Sequence, residues 1–232
     1  MRVICRGFRP LAPDNSLPGF EYAGMLKQWA IETDVHMTRD AHLVCCHNTS
    51  VDETYDGSGF ISELSWSEIC KMRIDTGTRL DCLTDKQKRM PLFSEYLTIC
   101  KKYGSVPFIE LKTDDVGPVI QAIHEAGFRD NEVIISSTVL NRLIETRKRS
   151  EEMFIHCFFA KEEQIDTLSR LGNAGLSWDI SDPFMCPASK ITIPHEMGLK
   201  VCLRAADSVK VITHMLALGL DYLPTNCMHE TL

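Results

Sequence analysis

The sequence predicts a single α/β domain, a (β/α)8 barrel of the TIM type, and three observations carry that prediction. Short apolar runs alternate with helical patterns along the whole chain. Glycines recur where a helix should hand over to the next run. One connection is too short to be anything but a hairpin. At 232 residues the chain can build one substantial core, and α/β barrels of this size are commonly one domain, so residues 1–232 are read as a unit.

The strand-like runs are Val3–Cys5, Ala30–Val35, Leu43–His47, Val106–Leu111, Val133–Ser137, Phe154–Phe158, Leu176–Ile180, Lys200–Leu203 and Asp221–Pro224. Between them, helical spacing groups Phe93, Tyr96, Leu97 and Cys100. It likewise groups Val116, Val119, Ile120 and Ile123, then Leu140, Leu143 and Ile144, and finally Val211, Ile212, Met215 and Leu216. Ser65 followed by Glu68 has capping-box spacing and opens a further helix. Gly104, Gly127, Gly172, Gly198 and Gly219 each precede an apolar run, where glycine suits a left-handed helix terminus. Successive units lie roughly 21 to 26 residues apart, the rhythm of repeated β-α units. Val35 to Leu43 breaks that rhythm. A parallel crossover needs a dozen residues or more, so Leu43–His47 folds back as a hairpin arm and eight barrel strands remain. Residues 48–90, polar and turn-rich, form an insertion over the barrel mouth.

Composition excludes several function classes. Hydrophobic residues make up 44% and charged residues 25%, as in ordinary globular proteins. A net charge of -7 and a pI of about 5.6 argue against nucleic acid or an acidic membrane surface as partner. No apolar run reaches the roughly 18 residues of a membrane helix. Arg2-Val3-Ile4-Cys5 runs straight into a strand rather than opening a signal peptide. The ten cysteines are scattered without a C-x-x-C pair, which fits free thiols in a reducing cytoplasm, the expected location.

The chemistry gathers on two strands. Glu32 and Asp34 lie two apart in a strand and so share a face. Such a pair either neutralises itself on a hard divalent cation or marks a solvent-facing edge strand, and alone it supports both readings. Glu110 and Lys112 repeat the spacing at the end of Val106–Leu111. In this fold, active sites form at the carboxyl ends of the strands. That end collects Cys5, Arg6 and Gly7, then Glu32 and Asp34, His47 of the arm, and Glu110 and Lys112. Ser136, Ser137, Trp178, Asp179, Arg204 and Asn226 complete the ring. The set describes a metal site on Glu32, Asp34 and Glu110 beside an anion site. Arg6 and Lys112 would hold phosphate oxygens and His47 would move a proton. The rival readings are salt-bridging for Arg6 and Lys112 and a loop hydrogen bond for His47. The other histidines, His229 among them, are expected to have no catalytic part. Trp178 is a candidate for substrate contact, with packing at the rim as its alternative.

The motifs resemble those of the glycerophosphodiester phosphodiesterase family: C-R-G at 5–7, P-D-N-S at 13–16, E-T-D-V at 32–35, H-N at 47–48 and E-L-K at 110–112. The T-R-D before His47, D-G-S-G at 56–59 and a closing L-G-L-D-Y-L-P-T-N agree, so the likeness spans nearly the whole chain in order. It implies a barrel of the phospholipase-C-like phosphodiesterase type and one divalent cation, Mg²⁺ or Ca²⁺, on Glu32, Asp34 and Glu110. It also implies hydrolysis of a small glycerophosphodiester to an alcohol and sn-glycerol 3-phosphate in lipid metabolism. Three departures stand out. Cys5 replaces a histidine that is half of the family's acid–base pair, Asn48 replaces an aspartate, and Asp14 shortens a glutamate. Cys5 is then a thiolate base, a ligand for a softer metal, or a plain buried thiol. The alternative function is an impaired paralogue that binds phosphodiesters or phosphates without efficient turnover. A Schiff-base aldolase using Lys112 ranks last, because Glu110 would keep the amine protonated.

Overall fold

The computed structural model of the protein describes residues 2–226; His229 lies outside the described residues. Among the described residues nine strands form one sheet: β1 (Arg2–Ile4), β2 (Ala30–Met37), β3 (Leu43–Cys45), β4 (Val106–Leu111), β5 (Ile134–Ser137), β6 (Phe154–Cys157), β7 (Ala174–Ser177), β8 (Lys200–Cys202) and β9 (Leu223–Thr225). Their order is β8-β7-β6-β5-β4-β2-β1-β9, with every neighbouring pair parallel and β3 attached antiparallel to β2. This is a nearly closed barrel of eight parallel strands plus a hairpin arm, as the sequence predicts.

Among the described residues eight α-helices accompany the strands: α1 (Leu17–Met25), α2 (Trp66–Ile69), α3 (Phe93–Tyr103), α4 (Gly117–Glu125), α5 (Leu140–Arg147), α6 (Ile165–Leu171), α7 (Ser189–Glu196) and α8 (Val209–Ala217). The four apolar stripes named from spacing fall on α3, α4, α5 and α8. Helix α3 shows the logic: Phe93, Tyr96, Leu97 and Cys100 are all buried, and Gly104 closes the helix at φ 69°, ψ 26°. A side chain there would pay a steric cost that glycine avoids. Helix α2 starts as its capping box requires, with the Ser65 amide donating to Glu68 Oε2 at 2.8 Å. Strand β7, the sixth of the eight barrel strands, starts two residues and ends three residues before its apolar run Leu176–Ile180, at Ala174–Ser177, so Trp178 follows the strand instead of lying within it.

Most buried apolar side chains form one cluster between the sheet and the helices. A smaller one occupies the strand-start end of the barrel interior around Val3, Ala30, Phe108 and Tyr222. The insertion has its own core: Val51, Tyr55, Ile61, Ile69, Ile74 and Met90 pack with Val44 and Cys46 of the arm. No helix among the described residues is long and apolar enough to cross a membrane.

Candidate active site

The site begins where β1 ends. Arg6 and Gly7 both take positive φ, 54° and 80°. At Gly7 a Cβ would fall 2.8 Å from the carbonyl carbon of Gly19, so the turn demands glycine. The turn aims the Arg6 amide at Glu32 Oε2, 2.9 Å away, while the Arg6 carbonyl accepts from the Asn15 amide at 2.9 Å. The guanidinium reaches back across the barrel mouth, with Nε 3.5 Å from Asp34 Oδ2 and Nη1 3.4 Å from Asp14 Oδ2.

Strands β2 and β4 supply the acids. Their register pairs Asp34 directly with Glu110, and Glu32 lies two residues back on the same side. Ligand atoms of Glu32, Asp34 and Glu110 all lie within 4.8 Å of one another, and all three residues are buried. Lys112 Nζ donates to Glu110 Oε1 at 2.6 Å and lies 3.2 Å from Asp34 Oδ1. Asn15 holds the other oxygen of Asp34: its Nδ2 donates to Oδ2 at 2.9 Å, and its Oδ1 accepts from Thr33 Oγ1 at 2.7 Å.

The electrostatics follow from burial and charge count. Three carboxylates face two cations, Arg6 and Lys112. Burial, then Asp34 and Glu110, push the Glu32 carboxyl well above its ordinary value. Burial and Asp34 push Glu110 up to about 7. For Lys112 burial opposes the charge, yet Asp34 and Glu110 outweigh it and raise the amine above its ordinary value. A lysine so held is no nucleophile, which removes the aldolase reading. Asp34 Oδ1 is buried and accepts no well-aligned hydrogen bond. A buried carboxylate oxygen in that state, among acids short of positive charge, suits a hard dication.

His47 and Asn48 follow the arm. His47 is exposed at the mouth, with Nδ1 2.7 Å from Asn48 Oδ1, and Asn48 Nδ2 donates to Glu53 Oε2 at 2.6 Å. Cys5, Arg6, Glu32, His47, Glu110 and Lys112 line one open cavity of roughly 460 Å³, whose far wall carries Phe159 and Arg204. Seven of the eight residues singled out from sequence therefore belong to this mouth, Asp34 by its bonds to the others. Trp178 does not line the cavity. It is 4% exposed, its indole N–H donates to the Lys190 carbonyl at 2.6 Å, and the Lys190 ammonium covers its ring at 4.0 Å. The reason is the shifted β7, which turns residue 178 onto α7. Burial first, then Glu32, lift the Cys5 thiol well above its ordinary value against the pull of Arg6, which disfavours the thiolate. Ser136 and Ser137 bond to the carbonyls of Ile109 and Leu111 and serve the strands. Asn15, Arg9, Phe159 and Glu53 are site residues that pattern reading passed over; only Asn15 had a signal, its place in P-D-N-S.

Fold and site first define a class: a TIM barrel with a buried acidic cluster flanked by basic groups at the strand ends, where barrels carry their chemistry. A model of the glycerophosphoryl diester phosphodiesterase family matches residues 6–162. A glycerophosphodiester phosphodiesterase of Caldanaerobacter subterraneus subsp. tengcongensis is 32% identical over 143 residues, 58% of this chain and 56% of that protein. One from Bacillus subtilis is 24% identical over 165 residues, 68% of this chain and 52% of that protein. An Oleispira antarctica phosphodiesterase, solved in complex with the product sn-glycerol-3-phosphate, superposes with a TM-score of 0.85 at 20% identity. That match covers 97% of this chain and 93% of that one. The matched stretches span about half the length of these curated relatives. The chain belongs to the glycerophosphoryl diester phosphodiesterase family, a family of phosphoric diester hydrolases. The family match contains the acids, Arg6, His47 and Lys112, and leaves Cys5 and Trp178 outside.

Proposed function

We propose that the protein is a divalent-cation-dependent phosphodiesterase that hydrolyses glycerophosphodiesters to an alcohol and sn-glycerol 3-phosphate, as part of lipid metabolism. The observation that carries this reading is the trio Glu32, Asp34 and Glu110, within 4.8 Å of one another and flanked by Arg6 and Lys112. A dication would change that balance from one net negative charge to one positive, which complements a phosphodiester monoanion. Bound there, Mg²⁺ or Ca²⁺ would supply Lewis acidity and a charge clamp for phosphoryl oxygens. Asn15, itself held by Thr33, fixes the carboxylate of Asp34, so this ligand is oriented before a cation binds. Arg6 and Lys112 donate charge-assisted hydrogen bonds to the nonbridging oxygens and orient the ester for attack by water. His47 moves the proton between water, ester oxygen and solvent. The Oleispira antarctica neighbour, with its bound sn-glycerol-3-phosphate, supports the product assignment. Nine free cysteines among the described residues agree with a cytoplasmic setting.

The test is release of sn-glycerol 3-phosphate from a glycerophosphodiester with Mg²⁺ or Ca²⁺. Chelation and Glu32→Gln should each reduce it by about 10³-fold or more, the scale of losing a preorganised electrostatic group. Chelator-insensitive turnover would remove the cation from the reading. Cys5 favours one second reading, a phosphodiester-binding protein with weak turnover, because an acid–base histidine's place holds a protonated thiol.

A further inference from the structure

An amide beside a histidine is ambivalent. Its oxygen accepts, and its nitrogen donates, so by itself it leaves open which ring nitrogen of the histidine carries the proton. In a Ser-His-Asp triad, replacing the aspartate by asparagine enforces the wrong tautomer and lowers kcat about 10⁴-fold. Asn48 stands next to His47 in this way, with Oδ1 2.7 Å from the ring Nδ1. A second contact removes the ambiguity. Asn48 Nδ2 lies 2.6 Å from Glu53 Oε2, and a carboxylate accepts without donating. The NH₂ group must therefore face Glu53, the amide oxygen must face His47, and Nδ1 must carry the proton. The neutral ring is left with a bare Nε2, and His47 lines the cavity.

Glu53 is itself well placed for this task. It sits in a turn closed by the Thr54 and Tyr55 amides on the Val51 carbonyl, between the buried anchors Val51 and Tyr55. Thr76 Oγ1 donates to the Glu53 carbonyl at 3.1 Å and fixes the backbone from the far side of the insertion. The Glu53 side chain reaches Asn48 beside a small cavity that also touches Arg6, Asp14, Asn15 and His47.

We infer that Glu53, acting through Asn48, is the positioning residue that sets the tautomer of His47. The inference rests on the proposed role of His47 in proton transfer, but its main readout does not need turnover. The ring nitrogens of His47 are observed by ¹⁵N-resolved NMR of the full chain at about pH 8.5, where imidazole is neutral, with the signal assigned by its loss in His47→Gln. In the parent protein Nδ1 is protonated and Nε2 is bare. In Glu53→Ala the proton shifts to Nε2 in most molecules, and kcat falls roughly 10-fold with KM within about twofold, less than the loss of the whole acid–base group. Adding Asn48→Asp to Glu53→Ala restores both the tautomer and most of the rate, because a carboxylate next to the ring accepts from Nδ1 unaided. The same Asn48→Asp with Glu53 present lowers the rate, since two carboxylates then meet where one amide bridged. An unchanged His47 tautomer in Glu53→Ala overturns the inference, as does a double variant no faster than Glu53→Ala alone. Absence of turnover in every variant would count against the phosphodiesterase reading, and the NMR result would still decide the role of Glu53.

Discussion

Cys5 is the residue whose chemistry departs furthest from its position. It lines the cavity at the end of β1, yet burial and Glu32 hold its thiol protonated. We propose that it fills the wall without taking a proton. Cys5→Ala should leave kcat within about threefold, whereas Cys5→His should raise it toward the 10² to 10⁴ typical of a positioned acid–base group. Steady-state kinetics on the three proteins decides the point, and a loss of rate in both variants would give the thiol a role of its own. At this scale the acids were legible because two physical rules act together. Strand alternation puts Glu32 with Asp34, and the barrel places Glu110 beside them. Glu53 was not, and the motifs that hold Asn15 and Asn48 did not show their partners, because those contacts depend on loop geometry that no periodicity encodes.

At the scale of elements, β2 is the organising one. Its first six residues pair with β4, while Val35 to Met37 pair with the arm β3. The arm in turn anchors the insertion, whose core of Val51, Tyr55, Ile61, Ile69, Ile74 and Met90 is separate from the barrel core. His47 and Glu53 thus hang on a small packing unit of their own. Ile69, fully buried in α2, is a clean probe. Ile69→Ala should cost about 2 to 5 kcal/mol locally. Hydrogen exchange should then quicken across residues 48–90 while β4 to β7 keep their protection, and kcat should fall with the loosened His47. A uniform loss of protection would mean that the insertion and barrel unfold as one. The sequence showed the arm through the shortness of its connection. It did not show α1, α6 or α7, whose stretches carry breaks such as Pro194 within α7 and no clean apolar stripe.

For the whole molecule, the barrel interior sets the response to acid. His156 lies buried inside β6, in contact with Phe108, Phe158 and Tyr222 and hydrogen bonded to the Tyr222 hydroxyl. Burial lowers its pKa from 6.5 to about 3. The native protein refuses this proton in a window where the unfolded chain binds it, so the unfolded state carries more protons between those values. Stability from this group is complete above about pH 6.5 and declines on acidification at up to about 1.4 kcal/mol per pH unit. Denaturant titrations at pH 7 and pH 5 should show His156→Gln losing less stability between them than the parent; equal losses would refute the assignment. The barrel itself was legible from the repeat of its units, but not how the ring closes. Among the described residues β8 and β9 share no ladder. Asp221 spans the gap: its amide donates to the Val201 carbonyl at 3.0 Å, its Oδ2 accepts from the Val201 amide at 2.7 Å, and His195 Nε2 lies 2.9 Å away. A side chain and a backbone bond thus stand in together for a row of interstrand bonds. Since a carboxylate can be neutralised and a peptide ladder cannot, strong acid should loosen this seam before the ladders elsewhere in the cylinder.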